Sequence, residues 1–243
     1  MPKIFGFYEI QPRARITLAG ILALFILVSS VVYVQAYHKE KPVYQVKTER
    51  KVVALTFDIS WGNKTPMPVI EILRENDIKS TFFLSGPWVK EYPDIVTSIK
   101  KDGHEIASHG YRHINLSNLS ESEIKDEIQK AHKNIYEVAG VNANLIRTPN
   151  GDYKEHVMKA VHDSNYEAIQ WSVDSLDWMN PGVNTIIERV SKKAHPGAII
   201  LMHASDTCKQ TSDALPEVIK NLKKQGYEFV TVSELLKMGE KEN

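Results

Sequence analysis

Five short apolar segments of this chain each end at or next to a side chain that can take part in catalysis. Apolar runs of this length, bounded by turn residues, are typical of buried strands, and helical periodicities lie between them. Strands that alternate with helices predict a parallel sheet, and such sheets bind ligands at the carboxyl ends of their strands. The sequence therefore predicts that two carboxylates, three histidines and one arginine meet at one rim: Asp58, His109, His113, Arg147, Asp174 and His203.

Two of the histidines have the spacing of metal ligands. His109 and His113 are four residues apart, and on a tight turn that spacing lets both rings face one ion. Imidazole suits zinc and its first-row neighbours. The spacing alone is weak evidence, and two half-buried histidines without an ion are the alternative. The position of His109 at a strand end favours the metal site, and the absence of a Glu directly after it excludes a metalloprotease helix.

Asp58 and Arg147 are candidates for a base and its charged partner. Asp58 ends a very apolar strand, where it could take a proton from metal-bound water or simply cap a turn. Arg147 ends another strand, where it could hold Asp58 ionised and oriented or form a surface ion pair. Both interpretations of each residue remain open at this stage.

His203 is the candidate acid. An imidazole titrates near neutrality, so His203 could donate a proton to a leaving amine, or it could be an ordinary histidine at the rim. Carboxylates orient catalytic imidazoles in other enzymes, and Asp174 is the residue predicted to do so here. Asp177 and Trp178 follow closely and add a second carboxylate and an aromatic face.

Composition limits the possible functions. The chain has 243 residues, with 30 Lys and Arg against 30 Asp and Glu, so its charge gives no case for nucleic acid as a partner. Cys208 is the only cysteine, which excludes an internal disulfide and a cysteine-based zinc site. Residues 51–238 have the length of one domain, and residues 239–243 are expected to be a short tail.

An uncharged segment near the N-terminus predicts membrane attachment. Residues 16–37 carry no charge, and about 22 residues at ~1.5 Å each span roughly 33 Å, enough for a bilayer core. We expect a single-pass anchor in the cell membrane, with residues 1–15 in the cytoplasm, a linker at 38–50 and the domain outside the cytoplasm. A signal peptide cleaved after Val34-Gln35-Ala36 is the alternative.

The predicted elements alternate along the whole domain. Strands are expected near 51–57, 79–84, 104–108, 144–147, 166–173, 197–203 and 228–232, and helices near 66–76, 93–101, 120–139, 153–164, 183–194, 213–225 and 233–238. The helix at 120–139 is the clearest, because Ser120 and Glu123 have capping-box spacing and Gly140 ends it. About seven βα units are slightly too few for an eight-fold barrel. We therefore predict an α/β fold with a distorted or incomplete (β/α) barrel, the alternative being an open doubly wound sheet.

The segments together resemble the five ordered motifs of the NodB-homology polysaccharide deacetylases, carbohydrate esterase family 4. The matching segments are Thr56-Phe57-Asp58, His109 to His113, Arg147-Thr148-Pro149, Asp174-Ser175-Leu176-Asp177-Trp178 and Leu201-Met202-His203. The resemblance covers residues 51–238. It implies a distorted (β/α) barrel and metal-assisted hydrolysis of N-acetyl groups on polymers of N-acetylglucosamine or N-acetylmuramic acid, such as peptidoglycan or a related polysaccharide.

The same resemblance implies a role for each candidate residue. Asp58 would be the base, His203 the acid, and His109 and His113 ligands of a divalent ion, expected to be zinc, with cobalt or a similar ion also compatible. The supporting roles are these: Arg147 braces the base, Asp174 tunes the acid, Leu201 lines a pocket for the acetyl methyl group, the backbone N–H of Asn150 binds the oxyanion, and Trp178 lines the substrate groove.

Three positions depart from the family pattern. Ile59 stands where the family usually has a second aspartate that is the third metal ligand, Gly110 replaces a Ser or Thr, and Asn150 replaces an aromatic residue. The segment Thr56 to Gly62, together with one N-terminal membrane segment, looks like the PdaB-like sporulation branch and implies a cell-wall or spore-cortex role.

Two functional classes remain open from the sequence. The first is an active amidohydrolase that releases acetate from peptidoglycan, and the second is a non-catalytic protein that binds the wall through the same groove. Ile59 favours the second class, whereas the presence of Asp58, Arg147, Asp174 and His203 favours the first. A glycosidase would need a pair of carboxylates across the scissile bond, which the histidine-rich set does not supply.

Overall fold

The structure is a computed structural model that describes residues 23–26 and 41–243. The chain divides into two units, Met1–Glu40 and Lys41–Asn243. In the first unit residues 23–26 are helical and exposed, and the rest of the anchor predicted at 16–37 lies outside the described residues. Among the residues that can be described, no helix is both long and apolar enough to cross a membrane.

Strands and helices alternate through the second unit, as predicted. The strands are β1 Gln45–Lys47, β2 Val52–Ile59, β3 Thr81–Leu84, β4 Glu105–Ser108, β5 Leu145–Ile146, β6 Glu167–Ala168, β7 Val173–Asp174, β8 Ala198–His203, β9 Glu228–Phe229 and β10 Glu240–Glu242. The helices are α1 Pro66–Glu75, α2 Gly86–Glu91, α3 Pro93–Lys101, α4 Glu121–Ala139, α5 Glu155–Asp163, α6 Val183–Lys193, α7 Thr211–Lys224 and α8 Val232–Leu235. Short 3-10 turns occur at Leu116–Asn118, Pro149–Gly151 and Asp177–Met179.

A parallel sheet in the order β8-β2-β3-β4-β5-β6 carries the candidate site. All eight residues of β2 are buried, as expected for a strand covered on both faces. The register pairs Asp58 of β2 with His203 of β8 and with Phe83 of β3. The candidate base and the candidate acid therefore lie side by side at the carboxyl ends of neighbouring strands.

The sheet is curled, because the chain leaves β6 at one edge of the sheet and pairs again near the opposite edge. The backbone N–H of Val43 donates to Ala168, and the N–H of Gln170 donates to Val43. β7, a few residues further on, pairs with β8. The fold is therefore a curled, incomplete (β/α) barrel, as predicted, and not the open doubly wound sheet.

The predicted boundaries at both ends of the domain need correction. Val43 and Val46 are buried, and β1 pairs with both β8 and β10. Part of the expected linker at 38–50 and the expected tail at 239–243 therefore belong to the sheet. Three-residue strands are too short to give a periodic signal in the sequence. The same applies to α2, which is six residues long and was not predicted.

Successive residues of β2 belong to different apolar layers. Leu55, Phe57 and Ile59 belong to the large cluster shared with the surrounding helices, whereas Ala54 belongs to the smaller cluster that contains Phe83 and Ile199. Side chains alternate along a strand, so Asp58 projects on the face of Ala54, away from the large cluster. Asp58 and Ile59 are thus neighbours in sequence with opposite environments.

The longest helix has the caps that the sequence predicts. The Ser120 hydroxyl accepts from the backbone N–H of Glu123, the Glu123 carboxylate reaches back to the N–H of Ser120, and Gly140 ends the helix with a left-handed φ of 63°. The two caps fix the start and end of α4. This helix packs against α2, α3 and α5 and supports the loop that carries the paired histidines.

Candidate functional site

A cavity of about 420 Å³ lies at the carboxyl ends of the strands. Eight of the nine predicted site residues line it: Asp58, His109, His113, Asn150, Asp174, Trp178, Leu201 and His203. Arg147, the ninth, is fully buried and does not line the cavity. The structure thus brings together the residues that the sequence places at strand ends.

Asp58 and Arg147 form a buried ion pair. Nη1 of Arg147 donates to Oδ1 of Asp58 at 2.7 Å and to the Thr56 hydroxyl at 2.8 Å, while Nη2 donates to the carbonyl of Gln170 at 3.0 Å. Burial alone would raise the pKa of Asp58, but the charge of Arg147, aided by His109 and His203, holds that pKa below its ordinary value. Asp58 is therefore a carboxylate at neutral pH and can accept a proton.

His109 is held so that one ring nitrogen is available. Its Nδ1 lies 2.9 Å from the carbonyl oxygen of Arg147, and because a carbonyl can only accept, Nδ1 carries the proton. Nε2 therefore has a free lone pair, and it lies 3.7 Å from Oδ2 of Asp58. The His113 ring is at 5.2 Å from the His109 ring, centroid to centroid. Burial lowers the pKa of His109 to about 4 and also lowers that of His113, so both rings are neutral at pH 7, the form that a metal ligand requires.

His203 is oriented by Asp177, and the prediction that Asp174 does this is wrong. Nδ1 of His203 donates to Oδ1 of Asp177 at 2.7 Å, and the backbone N–H of His203 donates to Oδ2 at 2.7 Å. The Thr211 hydroxyl completes the set by donating to Oδ2 at 2.7 Å. Asp177 is fully buried. The acid candidate thus has a fixed ring orientation with Nε2 left free.

The turn between the two aspartates explains the correction. The Asp174 carboxylate accepts from the backbone N–H of Leu176 at 2.8 Å, so it caps its own turn. Leu176 adopts a left-handed φ of 58°, which redirects the chain and places Asp177 against β8. Asp174 still lines the cavity, but it makes no hydrogen bond to His203 in the part of the chain described.

The charge of Asp177 sets the protonation of His203. Burial alone would lower the pKa of His203, but the hydrogen bond to Asp177 and its negative charge outweigh burial and raise that pKa above its ordinary value. This shift favours the protonated imidazole, which is the form that a general acid requires. The site therefore pairs an ionised carboxylate with an imidazole whose protonated form is stabilised by Asp177.

The substrate-binding candidates lie around these two pairs. Leu201 precedes His203 by two residues on β8 and is almost fully buried at the cavity wall, while Trp178 is half exposed. Asn150 has a left-handed φ of 60°, which Asn tolerates better than an aromatic residue does. Its side-chain amide donates to Oδ1 of Asn115 at 2.7 Å. This backbone conformation gives a local reason for Asn at a position where the family usually has an aromatic ring.

The family model described as polysaccharide deacetylase matches residues 45–169. The chain belongs to the polysaccharide deacetylase family. Its curated relatives include the Bacillus subtilis peptidoglycan-N-acetylmuramic acid deacetylase PdaA, 33% identical over 79% of this chain and 74% of the relative. A Bacillus cereus peptidoglycan-N-acetylglucosamine deacetylase is 36% identical over 80% of this chain and 92% of the relative. The chain covers 60% of the length of another relative, YlxY of Bacillus subtilis, at 33% identity.

Solved structures of the family include enzymes and a pseudoenzyme. A CE4 family pseudoenzyme from Bacillus anthracis superposes with a TM-score of 0.77 at 36% identity, over 83% of this chain and 70% of that protein. A mutant of the same pseudoenzyme, with restored enzymatic activity, has the same TM-score at 37% identity, over 83% of this chain and 73% of the mutant. Membership of the deacetylase family therefore establishes the fold, and the residues of this chain must decide between the two kinds of relative.

Deacetylases of this family generally use a divalent metal, and the side chains here supply that site only in part. A catalytic zinc normally has three protein ligands and one open position. His109 and His113 offer two neutral imidazoles, but Ile59 has no donor atom and is fully buried in the apolar cluster. Oδ1 of Asp58 is already engaged by Arg147. Two of the three expected protein ligands are therefore present at this position.

One other group in the described ranges could hold a metal. Ligand atoms of Asp177, His203 and Cys208 all lie within 4.8 Å of one another. Two of these three residues, Asp177 and His203, are already hydrogen-bonded to each other. Burial, together with the charge of Asp177, raises the pKa of the Cys208 thiol to about 12, which opposes the thiolate that a metal needs. We assign this group to the acid side of the deacetylase site.

Glu127 is a functional candidate that the sequence reasoning did not identify. It is buried on α4, where its carboxylate accepts from the backbone N–H of Arg112 at 2.8 Å and from the guanidinium at 2.7 Å. These contacts fix the loop that carries His113, the residue after Arg112. A signal was present, since Glu127 lies on the core-facing stripe of the helix beside Ile124 and Ile128, where a charged residue needs a partner.

Proposed function

We propose that the protein is a peptidoglycan N-deacetylase with low turnover. The observation that carries this is the pairing of Asp58 with Arg147 and of His203 with Asp177 on adjacent strands, facing one cavity. One pair keeps a base ionised and the other keeps an acid protonated. Amide hydrolysis needs both at once, because water must lose a proton while the departing amine gains one.

The reaction follows from these positions. Water attacks the acetamide carbonyl carbon while Asp58 removes a proton from it, which gives a tetrahedral oxyanion. The backbone N–H of Asn150 is the proposed donor to that oxyanion, and Leu201 is the proposed contact for the methyl group. The C–N bond then breaks, the electron pair stays on nitrogen, and His203 supplies the proton that makes the free amine. Acetate and the deacetylated sugar are the products.

We propose that His109 and His113 hold a divalent ion weakly, with zinc favoured and cobalt or a similar ion compatible. Such an ion would acidify water and polarise the acetamide carbonyl. The lack of a donor at Ile59 is the reason for expecting low affinity and low turnover.

The substrate that fits best is the N-acetylated amino sugar of peptidoglycan or a related polysaccharide. Two of the relatives named above are deacetylases of N-acetylmuramic acid and of N-acetylglucosamine in peptidoglycan, and both sugars carry the acetamide that this mechanism needs. We propose a role in wall or spore-cortex maturation at the cell membrane. The domain would lie outside the cytoplasm, anchored through residues 16–37.

A wall-binding protein without turnover is the second candidate. It is favoured by the burial of Ile59 in the apolar cluster and by the similarity to a family pseudoenzyme. In that case the groove would bind glycan although the metal side is incomplete.

One experiment separates the two candidates. Full-length wild type and Asp58→Asn, each with added zinc or cobalt, are compared for acetate release from purified peptidoglycan and for pelleting with it. If the protein is a deacetylase, Asp58→Asn removes the base and should lower acetate release roughly 10²–10⁴-fold. Both forms should still pellet with peptidoglycan. If metal-loaded wild type releases no more acetate than Asp58→Asn and both pellet equally, the wall-binding protein is the correct assignment.

Membrane attachment is tested separately. Protease added to intact cells stripped of wall should digest the domain at 41–243. Complete protection of the domain until the cells are lysed would contradict the proposed location.

A further inference from the structure

Trp61 occupies a fixed position at the rim of the cavity. It follows β2 by two residues, and its ring centroid lies 5.0 Å from that of His113 at an interplanar angle of 72°. The indole N–H donates to the Thr207 hydroxyl at 3.1 Å, which sets the orientation of the ring. The side chain nevertheless remains 42% exposed and lines the cavity. An indole held in this way presents apolar surface to whatever enters the site.

The loop that carries Trp61 is held by several hydrogen bonds. The Asp206 carboxylate accepts from three successive backbone N–H groups, those of residues 63, 64 and 65, at 3.2, 2.8 and 2.9 Å. The carbonyl of Gly62 accepts from the indole of buried Trp88 at 2.7 Å. The φ of Gly62 is +80°, and a Cβ there would lie 2.2 Å from the Asp206 carboxyl carbon. The rim around Trp61 is therefore pre-organised before any ligand arrives.

A second exposed indole borders the acid side of the same cavity. Trp178 follows Asp177 directly and is 51% exposed, and its indole N–H has no hydrogen-bond partner among residues 41–243. Trp61 adjoins His113, whereas Trp178 adjoins the residue that orients His203. Large aromatic side chains beside a few placed polar groups are typical of ligand sites. The axial C–H groups of a pyranose ring form an apolar face that suits such an indole.

We propose that Trp61 is a substrate-binding residue that stacks on a pyranose ring of the N-acetylated glycan at the His113 side of the cavity, and this rests on the proposed function. The stacked ring would be held against the ordered loop at 60–65. Because the loop is already fixed by Asp206 and Thr207, little ordering cost opposes the contact. The contact is the same before and during hydrolysis, so Trp61 should act on glycan binding, hence on KM, more than on kcat.

The test uses full-length protein and a soluble N-acetylglucosamine tetramer as the probe. Trp61→Ala should weaken the affinity for the tetramer, measured by calorimetry, about tenfold, as expected for the loss of one aromatic contact to a ligand. Trp61→Phe keeps a stacking ring and should recover most of the loss. Thr207→Val keeps the indole but releases its orientation and should fall between. The matched control is Tyr136→Ala, which removes another exposed aromatic ring, from α4 and outside the cavity.

The outcomes are distinguishable from failure of the proposed function. A tenfold loss in Trp61→Ala, recovery in Trp61→Phe and no change in Tyr136→Ala support the proposal, as does a raised KM with kcat within a few-fold. Wild-type affinity in Trp61→Ala overturns it and leaves the deacetylase assignment standing. If wild type binds neither the tetramer nor peptidoglycan, the proposed function fails, and the stacking role fails with it.

Discussion

The cavity has an acid–base side, formed by Asp58 and His203 with their partners, and a metal side, formed by His109 and His113. The first has all its expected side chains, whereas the second lacks one. On the acid–base side, Asp58 and His203 each have a buried partner that sets their charge, through contacts of 2.7 Å. On the metal side, the two histidines are placed and neutral, but the neighbouring position holds Ile59, packed into the core. Burying a charge without a partner costs folding free energy. The difference supports the proposal of an assembled acid–base pair beside a metal site that lacks one protein ligand.

The largest effect should come from breaking the buried ion pair. Arg147→Met leaves the Asp58 carboxylate buried without its partner, and removing one member of such a pair costs about 3–5 kcal/mol of unfolding free energy. Chemical denaturation measures this loss. Arg74→Met is the matched control, because Arg74 pairs with Asp102 at the surface. A loss in Arg147→Met no greater than in the control would show that the acid–base side is not held as described.

The pH dependence of acetate release should distinguish the two aspartates. The protonated form of His203 is the acid, so activity is expected to fall as pH rises through its pKa, which Asp177 raises. Asp177→Asn removes that charge, lowers the pKa of His203, and should move the alkaline limb of the pH–rate profile to lower pH. Asp174→Asn is the control, since Asp174 caps its own turn. A shift produced by Asp174→Asn and not by Asp177→Asn would reverse the assignment.

A smaller effect, on zinc affinity, is expected from Glu127, the buried carboxylate that holds the loop of His113. Glu127→Gln weakens the hydrogen bonds to Arg112 and should reduce zinc affinity by roughly tenfold, the low end of the effect of losing support around a metal ligand. Glu137→Gln, on the exposed face of the same helix, should leave affinity unchanged. Calorimetric titration with zinc measures both. Equal affinity in the two variants would mean that Glu127 serves only the stability of α4.

The sequence predicts which residues form the site better than it predicts the hydrogen bonds between them. Strand ends are predictable because buried strands are continuous apolar runs, so Asp58, Arg147 and His203 could be placed at one rim from their positions alone. The partner of His203 could not, since Asp174 and Asp177 are three residues apart and the left-handed turn at Leu176 decides which one reaches it. Local spacing does not determine such a turn.

The edges of the domain were also beyond sequence reasoning. β1 and β10 are three residues each, and their pairing joins the two ends of the domain, across nearly 200 residues of sequence. No local pattern predicts that contact. Glu127 is different, because a lone charge on the buried stripe of α4 was visible and its partner, Arg112, lay in the adjoining histidine motif.

The contrast between the two sides is tested most directly by supplying the missing ligand. Ile59→Asp is compared with wild type and with Ile59→Asn, which has a similar shape but no charge, for zinc affinity by calorimetry and for acetate release from peptidoglycan. Ile59 is the last residue of β2 and packs into the apolar cluster, so the test requires that the end of the strand turns the new carboxylate toward the histidines. If it does, and the acid–base side is intact, Ile59→Asp should bind zinc at least ~10–100-fold more tightly and release acetate faster, and Ile59→Asn should do neither. Unchanged affinity and unchanged acetate release in a folded Ile59→Asp protein would contradict this account.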